Sequence, residues 1–279
     1  MKKIIYGFIL CLTAGTFVGC DDYNNPNEGR FEPDTQSGWV QFDVATTTVL
    51  SGATTEFSVP VALHAPVNTD GLTVTYTVTD MTGSTAGVVT YTGEATVPEG
   101  SLTGDIMFTL SETPLTSCVE YMITITGTSR SNVQVGLGEG ERPTTHIVRI
   151  VNRENLLGTY DVVEGGDTYE ATVEAGEASN EIIVRGLFGT GDDTETHLFL
   201  NATGGTVSFP AYTENFLFTD AEVGDVSVGN DYEGLLNEPN RVSTFNSCGT
   251  PTIELNYLLI FNADGALNAQ HVNAVMTKQ

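Results

Sequence analysis

Apolar residues alternate with threonine and other polar residues along much of this chain, and this two-residue period constrains the fold more than any other feature. The segments Glu56–Leu63 and Leu72–Val78 place apolar side chains at every second position. Because successive side chains of a β-strand point to opposite faces, the pattern predicts half-buried strands. No helical period persists for more than two turns, so the chain is predicted to be all-β.

Turn-forming residues separate these segments. Asn68–Gly71, Pro98–Gly100 and Glu112–Pro114 contain Gly or Pro, which favour turns through a positive φ and a fixed φ respectively. Short alternating strands joined by such turns predict an antiparallel β-sandwich.

The length of the chain predicts two folded domains after an N-terminal leader. We assign a signal peptide to residues 1–19, a flexible tether to 20–37, an N-terminal sandwich to 38–152 and a C-terminal β domain to 153–279. The second domain is expected to be another antiparallel sandwich or a barrel-like unit. Two long polar segments, Thr128–Pro143 and Asp220–Asn246, are expected to be loops that provide contact surfaces.

The first domain resembles a Calx-β domain, which has an immunoglobulin-like sandwich fold. The similarity rests on the segments WVQFD, FSVPVAL and VPEGSLTGDIMFTL. Members of that family can bind Ca²⁺ through clustered carboxylates at one end of the sandwich. Here Leu50–Gly52 stands where an acidic residue is usual, and no aspartate run follows Leu110. The resemblance therefore implies the fold but not the calcium site.

The second domain is similar to C-terminal β domains of uncharacterised Bacteroidota lipoproteins, which are often encoded near glycan-import systems. The segments that carry this similarity are LLGTYDV, NEIIVRGLFG and GGTVSFPAY. The resemblance implies a β meander and a context of nutrient uptake.

The N-terminus has the composition of a secretory signal. Lys2 and Lys3 precede the apolar run Ile4–Gly15, which is too short for a permanent membrane-spanning helix. The pair Gly19-Cys20 resembles the end of a lipobox, and this resemblance implies lipidation of Cys20. A lipid there would attach the protein to a membrane stably.

The polar segment Asp21–Gly29 follows this cysteine and is expected to be a flexible tether. Its acidic pair resembles the surface-export signal of Bacteroidota lipoproteins. A generic tether on the periplasmic side remains the alternative. The expected location is the outer membrane, with the protein lipid-anchored on the cell surface or the periplasmic face.

The charge of the chain excludes one class of partner. Ten Lys and Arg against 36 Asp and Glu give a formal net charge of −26. Nucleic acid is therefore not expected as a partner, because binding a polyanion requires clustered cations. A glycan ligand should be neutral or cationic.

The cysteines and histidines suggest no metal site or cofactor. After removal of the signal and lipidation of Cys20, Cys118 and Cys248 remain. They lie in different predicted domains and are expected to be separate thiols, with an interdomain disulfide as the alternative. No Cys/His spacing typical of zinc is present.

Two acidic segments are the only candidates for catalysis. Asp192–Glu195 and Asp220–Asp225 could supply the paired carboxylates of a glycoside hydrolase. Both lie in polar segments where carboxylates are normally solvated, and no Gly-x-Ser-x-Gly motif is present. We therefore expect a protein without catalytic residues.

Three aromatic residues are the candidate ligand-binding residues. Tyr212, Phe216 and Phe218 lie within seven residues and could form a platform on which a neutral sugar stacks. The alternative is that they are core and edge residues of the β domain. Trp39, at the start of a predicted strand, is expected to be a core residue.

These features favour a lipid-anchored, non-catalytic envelope protein that binds a neutral glycan or an outer-membrane importer protein as an accessory of nutrient uptake. A structural or adhesive surface spacer is the alternative. A divergent glycoside hydrolase is the third reading.

Overall fold

The structure is a computed structural model, which describes residues 34–83, 87–111, 115, 117–137, 144–191, 193–230, 242–263 and 266–279. The signal peptide, Cys20, the turn at 112–114 and Asp192 lie outside the described residues. The chain is all-β, as the alternating pattern predicts. None of the helices in the described part has the length and apolar composition needed to cross a membrane.

The first half of the chain contains ten strands, which form two five-stranded sheets. They are β1 (Gly38–Gln41), β2 (Thr46–Leu50), β3 (Glu56–His64), β4 (Leu72–Asp80), β5 (Val89–Thr90), β6 (Glu94–Val97), β7 (Thr103–Leu110), β8 (Val119–Thr128), β9 (Val133–Val135) and β10 (Thr145–Val151).

The two sheets pack face to face as a sandwich. Their strand orders are β5-β7-β3-β1-β9 and β2-β10-β8-β4-β6. The alternating apolar residues of both sheets form one core, with Val59, Val74, Ile106 and Ile123 almost fully buried. A two-residue period is typical of a sheet that packs one face on the core and exposes the other to solvent, and the observed burial has this pattern.

The sandwich is not purely antiparallel, which corrects the prediction. β1 pairs in parallel with β9, and β2 pairs in parallel with β10. The chain crosses from one sheet to the other between β1 and β2. The first two strands thereby belong to opposite sheets. β1 lies beside the edge strand β9, and β2 is itself an edge strand beside β10.

The prediction that Trp39 is a core residue was wrong. Val40 faces the core, so Trp39 on the same strand faces outward and is half-buried. Its ring stacks on His64 with 5.1 Å between ring centroids. Its indole N–H donates to Gln41 Oε1 at 2.9 Å. Successive side chains of a strand point to opposite faces, so Trp39 must point away from the core when Val40 points into it.

The described residues of the second half contain three short 3-10 helices (Arg153–Leu156, Leu187–Gly189 and Tyr212–Glu214) and ten further strands. They are β11 (Gly158–Glu164), β12 (Asp167–Ala175), β13 (Glu181–Arg185), β14 (Glu195–Leu200), β15 (Thr206–Ser208), β16 (Phe216–Asp220), β17 (Gly224–Gly229), β18 (Ser243–Asn246), β19 (Thr252–Ala263) and β20 (Ala266–Lys278).

Eight of these strands close into a barrel. The order is β19-β18-β15-β14-β13-β12-β11-β20, and β20 pairs back onto β19. Of the two predicted alternatives for this domain, sandwich or barrel, the structure has the barrel. Apolar side chains, including Tyr160, Ile182, Leu198 and Leu255, fill its interior.

The long hairpin β19–β20 extends beyond the barrel. Only the first part of β19 pairs with β18, whereas Leu258–Asn262 pair with β17, which in turn pairs with β16. Leu258 and Ile260 face outward here, yet they are buried against Tyr212 and neighbouring residues. Both faces of β19 are therefore covered in this part.

The predicted contact loops contain strands. Within Asp220–Asn246, residues 224–229 form β17 and residues 243–246 form β18, so the prediction of a loop was wrong for them. Residues 231–241 lie outside the described residues. The segment Thr128–Pro143 likewise contains β9. These strands are only three to six residues long, so none of them is long enough to show a clear alternation in the sequence.

The two domains are joined covalently, which corrects the expectation of separate thiols. Cys118 and Cys248 form a disulfide with 5.2 Å between their Cα atoms, across a sequence separation of 130. The distance is typical of disulfides. Sequence position alone could not show that the loop before β8 meets the loop between β18 and β19.

Candidate functional site

The predicted aromatic platform is divided between two faces of the barrel domain. Phe218 packs against the barrel core. Tyr212 packs against the outward-facing Leu258 and Ile260. Phe216 is 50% exposed. The register shift between Phe216 and Phe218 marks a bulge on β16. The structure therefore brings Tyr212 and Phe216 to the outer side and separates Phe218 from them.

Two of the predicted carboxylates, Asp220 and Asp225, accept hydrogen bonds within the β16–β17 hairpin. Asp220 Oδ1 accepts hydrogen bonds from the backbone N–H groups of Glu222 at 2.7 Å and Val223 at 3.1 Å, and so caps a turn. Asp225 Oδ1 accepts from Thr219 Oγ1 at 2.7 Å. Both carboxylates thus stabilise the β16–β17 hairpin, and Asp192 cannot be assessed because it is not described.

A cavity of about 710 Å³ lies where the two domains meet. It is lined by the segment after β2, the end of β7, one residue between β7 and β8, and the interdomain linker. The described lining residues are Ser51, Gly52, Ala53, Thr54, Thr55, Leu110, Ser111, Leu115, Asn152 and Glu154. We call it the junction cavity. Its size is that of a site for a small organic ligand, and such sites occur preferentially at domain interfaces.

Backbone contacts hold the wall of the junction cavity in place. Ser51 N–H donates to Val151 O at 2.8 Å. Gly52 has a φ of 83°, a left-handed conformation that glycine adopts without steric cost. Asn152 joins two walls, because its side chain donates to Leu115 O and accepts from Glu154 N–H at 3.1 Å. Hydrogen-bonded turns therefore hold the described parts of the wall in place.

The junction between the domains is continuous with the barrel core. Leu50 and Val151 belong to the first domain but are fully buried in the core of the barrel. Backbone hydrogen bonds cross the interface, from Leu50 N–H to Ala202 O at 2.9 Å and from Gly204 N–H to Thr48 O at 2.7 Å. The disulfide adds a covalent restraint. The junction cavity thus lies between two tightly joined domains.

The chemistry of the lining favours a neutral polar ligand. Hydroxyl and amide groups of Thr55, Ser111 and Asn152 lie among the apolar groups of Leu110 and Leu115. Among the described lining residues, Glu154 alone carries a formal charge, and it pairs with Arg153 at 2.8 Å. Such a site could donate and accept hydrogen bonds.

Two of the lining segments are the ones in which the sequence lacks calcium-binding carboxylates. These are Leu50–Gly52 and the residues after Leu110. No group of three or more His, Cys, Asp or Glu side chains in the described residues could hold a metal ion. The sequence showed that this end of the sandwich lacks the carboxylates usual in Calx-β domains, but it did not predict a cavity there.

A buried polar cluster inside the barrel was also missed from the sequence. Glu164 accepts hydrogen bonds from the hydroxyls of Tyr169, at 2.7 Å, and Tyr257. Burial and the neighbouring carboxylate raise the pKa of both tyrosines well above the ordinary value, so both stay protonated donors. Tyr169 also accepts from Phe188 N–H at 2.7 Å.

This cluster supports a strained turn. Phe188 has a φ of 67°, and among the described residues it is the only non-glycine with a positive φ. The Tyr169 hydroxyl holds its amide, and both oxygens of Glu164 are occupied by tyrosines. The arrangement therefore satisfies a buried carboxylate and fixes a turn, and it offers no unsatisfied group to a ligand.

No protein-family model matches the chain, and no curated protein matches it. Among solved structures, the apo form of the Calx CBD1 domain is similar at 19% identity and a TM-score of 0.34, over 42% of this chain and 97% of that chain. An auxiliary nutrient binding protein from Bacteroides thetaiotaomicron is similar at 11% identity and a TM-score of 0.34, over 84% of this chain and 90% of that chain. The E. coli chaperone DraB is similar at 11% identity and a TM-score of 0.28, over 52% and 67% of the two chains. At these values the matches carry no argument about function.

Proposed function

We propose that this chain is a lipid-anchored, non-catalytic envelope protein that binds a neutral glycan in the junction cavity as an accessory of nutrient uptake. The observation that carries the proposal is the cavity itself, which combines hydroxyl, amide and apolar groups in a volume of about 710 Å³. A neutral ligand suits a chain with a net charge of −26, because the field of the protein would repel anions.

Export of the chain is supported by the disulfide. Cys118–Cys248 is the kind of bond that persists in oxidising compartments outside the cytoplasm. This supports the proposal that residues 1–19 act as a secretory signal. The proposed lipidation of Cys20 at the outer membrane depends instead on the Gly19-Cys20 pair. Labelled palmitate should enter the mature protein and should fail to enter Cys20→Ser. Equal labelling of the two proteins would contradict the anchor.

Ligand binding is tested by filling the junction cavity. The Thr55 side chain lines the cavity, and tyrosine at this position would occupy part of its volume. Thr55→Tyr should weaken binding to neutral oligosaccharides on an array by at least tenfold. Thr69→Tyr, at an exposed position in another loop, is the matched control and should bind as the native protein does.

A third variant separates the cavity from the aromatic platform. If the ligand occupies the junction cavity, Tyr212→Ala should leave binding unchanged. Loss of binding in Tyr212→Ala with retention in Thr55→Tyr would instead place the ligand at the aromatic residues and contradict the cavity.

A surface spacer is the second candidate function, and the rigid junction favours it. Shared core residues, backbone hydrogen bonds and a disulfide would transmit force from one domain to the other without a hinge. Absence of binding to every neutral glycan, together with a folded native protein, would favour the spacer.

A further inference from the structure

Glu154 gives the junction cavity a group that can only accept hydrogen bonds. Arg153 donates to one oxygen of this carboxylate, Oε1, from Nε at 3.2 Å and from Nη2 at 2.8 Å. No other hydrogen bond reaches the Glu154 side chain from the residues that the structure describes. The side chain is 56% exposed. Its second oxygen, Oε2, is therefore available to a ligand.

Arg153 keeps this carboxylate in a fixed position. Its own side chain is only 17% exposed, and its Nη1 donates to Ala178 O at 2.6 Å. Ala178 lies between β12 and β13, so the guanidinium connects the interdomain linker to the barrel. Because Glu154 is bound to this anchored group, its free oxygen is ordered before a ligand arrives. An acceptor that is already ordered loses little entropy on binding.

The guanidinium beside Glu154 also restricts the kind of donor that suits the free oxygen. Arg153 lies 2.8 Å from the carboxylate, and a second cation on the ligand would be repelled by it at short range. A neutral N–H or O–H group meets no such repulsion. Its hydrogen bond to an ionised acceptor is also stronger than one between two neutral groups. The position therefore favours a neutral donor.

A small apolar surface lies next to this acceptor. The side-chain amide of Asn152 accepts from Glu154 N–H at 3.1 Å and donates to Leu115 O. Glu154 and Leu115 are thus bound to the two ends of one amide group. Leu115 is 9% exposed, so it offers the cavity a small apolar patch and not a broad face. Such a patch suits a group about as large as a methyl.

Ser51 adds a donor to the same end of the cavity. Its backbone N–H donates to Val151 O at 2.8 Å, which places it beside the linker residues Asn152 and Glu154. Within the described part of the chain, its hydroxyl has no hydrogen-bond partner. A hydroxyl of this kind can donate to a carbonyl oxygen. An acceptor, a donor and a small apolar patch therefore lie together at this end.

The described lining contains no aromatic side chain. The ring of a sugar therefore has no flat aromatic face in this lining on which to stack. Orientation of a ligand in such a site comes from a few well-placed polar groups. Substituents of the sugar ring must then supply the contacts.

We propose that the glycan bound in the junction cavity carries an acetamido group; this inference rests on the proposed function. The N–H of that group would donate to Glu154 Oε2, and its carbonyl oxygen would accept from the Ser51 hydroxyl. Its methyl group would pack against Leu115. A ring hydroxyl offers no apolar group for this patch, and an ammonium group would be repelled by Arg153.

The test compares three trisaccharides that differ only in the substituent at C2 of each sugar. Tri-N-acetylchitotriose carries acetamido groups, and cellotriose carries hydroxyls. The chitosan trisaccharide carries amino groups, which are cationic in mildly acidic buffer. Titration calorimetry of the full chain in such a buffer should give a Kd for tri-N-acetylchitotriose at least tenfold below the Kd for each of the other two.

Two variants connect this preference to the cavity. Glutamine at position 154 would turn its single oxygen to Arg153 and present an N–H to the N–H of the ligand. Glu154→Gln should therefore weaken binding of tri-N-acetylchitotriose at least tenfold and leave cellotriose unaffected. Ser51→Ala should also weaken only tri-N-acetylchitotriose. Glu99→Gln removes the same charge from an exposed turn and, as the matched control, should bind as the native protein does.

The outcomes separate this inference from the proposed function. Equal affinity for tri-N-acetylchitotriose and cellotriose, with both weakened in Thr55→Tyr, would overturn the acetamido group and keep the cavity as a glycan site. A preference for tri-N-acetylchitotriose that survives in Glu154→Gln would place the acetamido group elsewhere and also overturn the inference. Absence of binding to every neutral glycan would overturn both proposals.

Discussion

In the barrel domain, Glu181 pairs with His197, which lies 16 residues further along the sequence. Glu181 is largely buried, and its Oε1 lies 2.8 Å from His197 Nδ1. Because an ionised carboxylate only accepts hydrogen bonds, this ring nitrogen carries the proton. The hydrogen bond from His197 and those from backbone amides, including that of Ala178, hold the pKa of Glu181 below its ordinary value.

The depressed pKa of Glu181 predicts a contribution to stability that depends on pH. A carboxyl whose folded pKa is lowered stabilises the fold above its unfolded pKa, about 4.3, and loses this effect as the pH falls through the folded value. Glu181→Gln should lower the free energy of unfolding by about 1 kcal/mol at pH 7. In urea titrations the difference should shrink as the pH falls below about 4.3 and through the lower folded pKa.

Glu195→Gln is the control for this prediction. Its carboxylate lies 3.7 Å from the other nitrogen of His197, and its side chain is 42% exposed. The free energy of unfolding should change by less than about 0.5 kcal/mol. A pH-independent loss in Glu181→Gln would show that packing, and not charge, is responsible.

Both faces of β19 are buried over Tyr257–Ile260. Tyr257 and Leu259 face the barrel interior, whereas Leu258 and Ile260 face the outer cluster. This part of the strand therefore has a continuous apolar run instead of alternation. The reason is that Leu258 and Ile260 form a second small core on the outside of the barrel.

The outer cluster predicts that Ile260 behaves as a core residue although it faces outward. Its side chain is 1% exposed. Ile260→Ala should lower the free energy of unfolding by about 2–5 kcal/mol, as cavities in protein cores do. Val163→Ala, at a strand position that is 51% exposed, is the control and should cost less than about 0.5 kcal/mol. Similar small losses for both variants in urea unfolding would contradict the second core.

The whole molecule is held together at one junction, where the disulfide, the shared core and the junction cavity meet. Leu50 and Val151 place the first domain in the core of the second. Unfolding of either domain would expose the other's buried surface. The two domains are therefore expected to unfold together.

Removing the disulfide tests this coupling. Cys118→Ser/Cys248→Ser should lower the free energy of unfolding by about 2–5 kcal/mol, because the bond closes a long loop in the unfolded chain. Calorimetry should still show one transition, because the shared core remains. Two separate transitions in the native, oxidised protein would contradict a coupled junction.

The sequence by itself determined the all-β class and the first domain's sandwich, because alternation and turn chemistry are local properties. Phe57 and Val74 face the core as their spacing predicts. The strands β17 and β18 and the outward-facing Trp39 could not be predicted, since register and neighbouring strands decide them. Phe216 and Phe218 are close in sequence but lie on different faces because a bulge lies between them.

Only the tertiary structure decided where distant segments meet. The Cys118–Cys248 bond, the junction cavity and the Glu164 cluster each join residues from several strands. Their formation depends on how the barrel closes and how the sandwich packs on it. No local pattern encodes such a contact, because its energy arises from burial that exists only after the chain has folded.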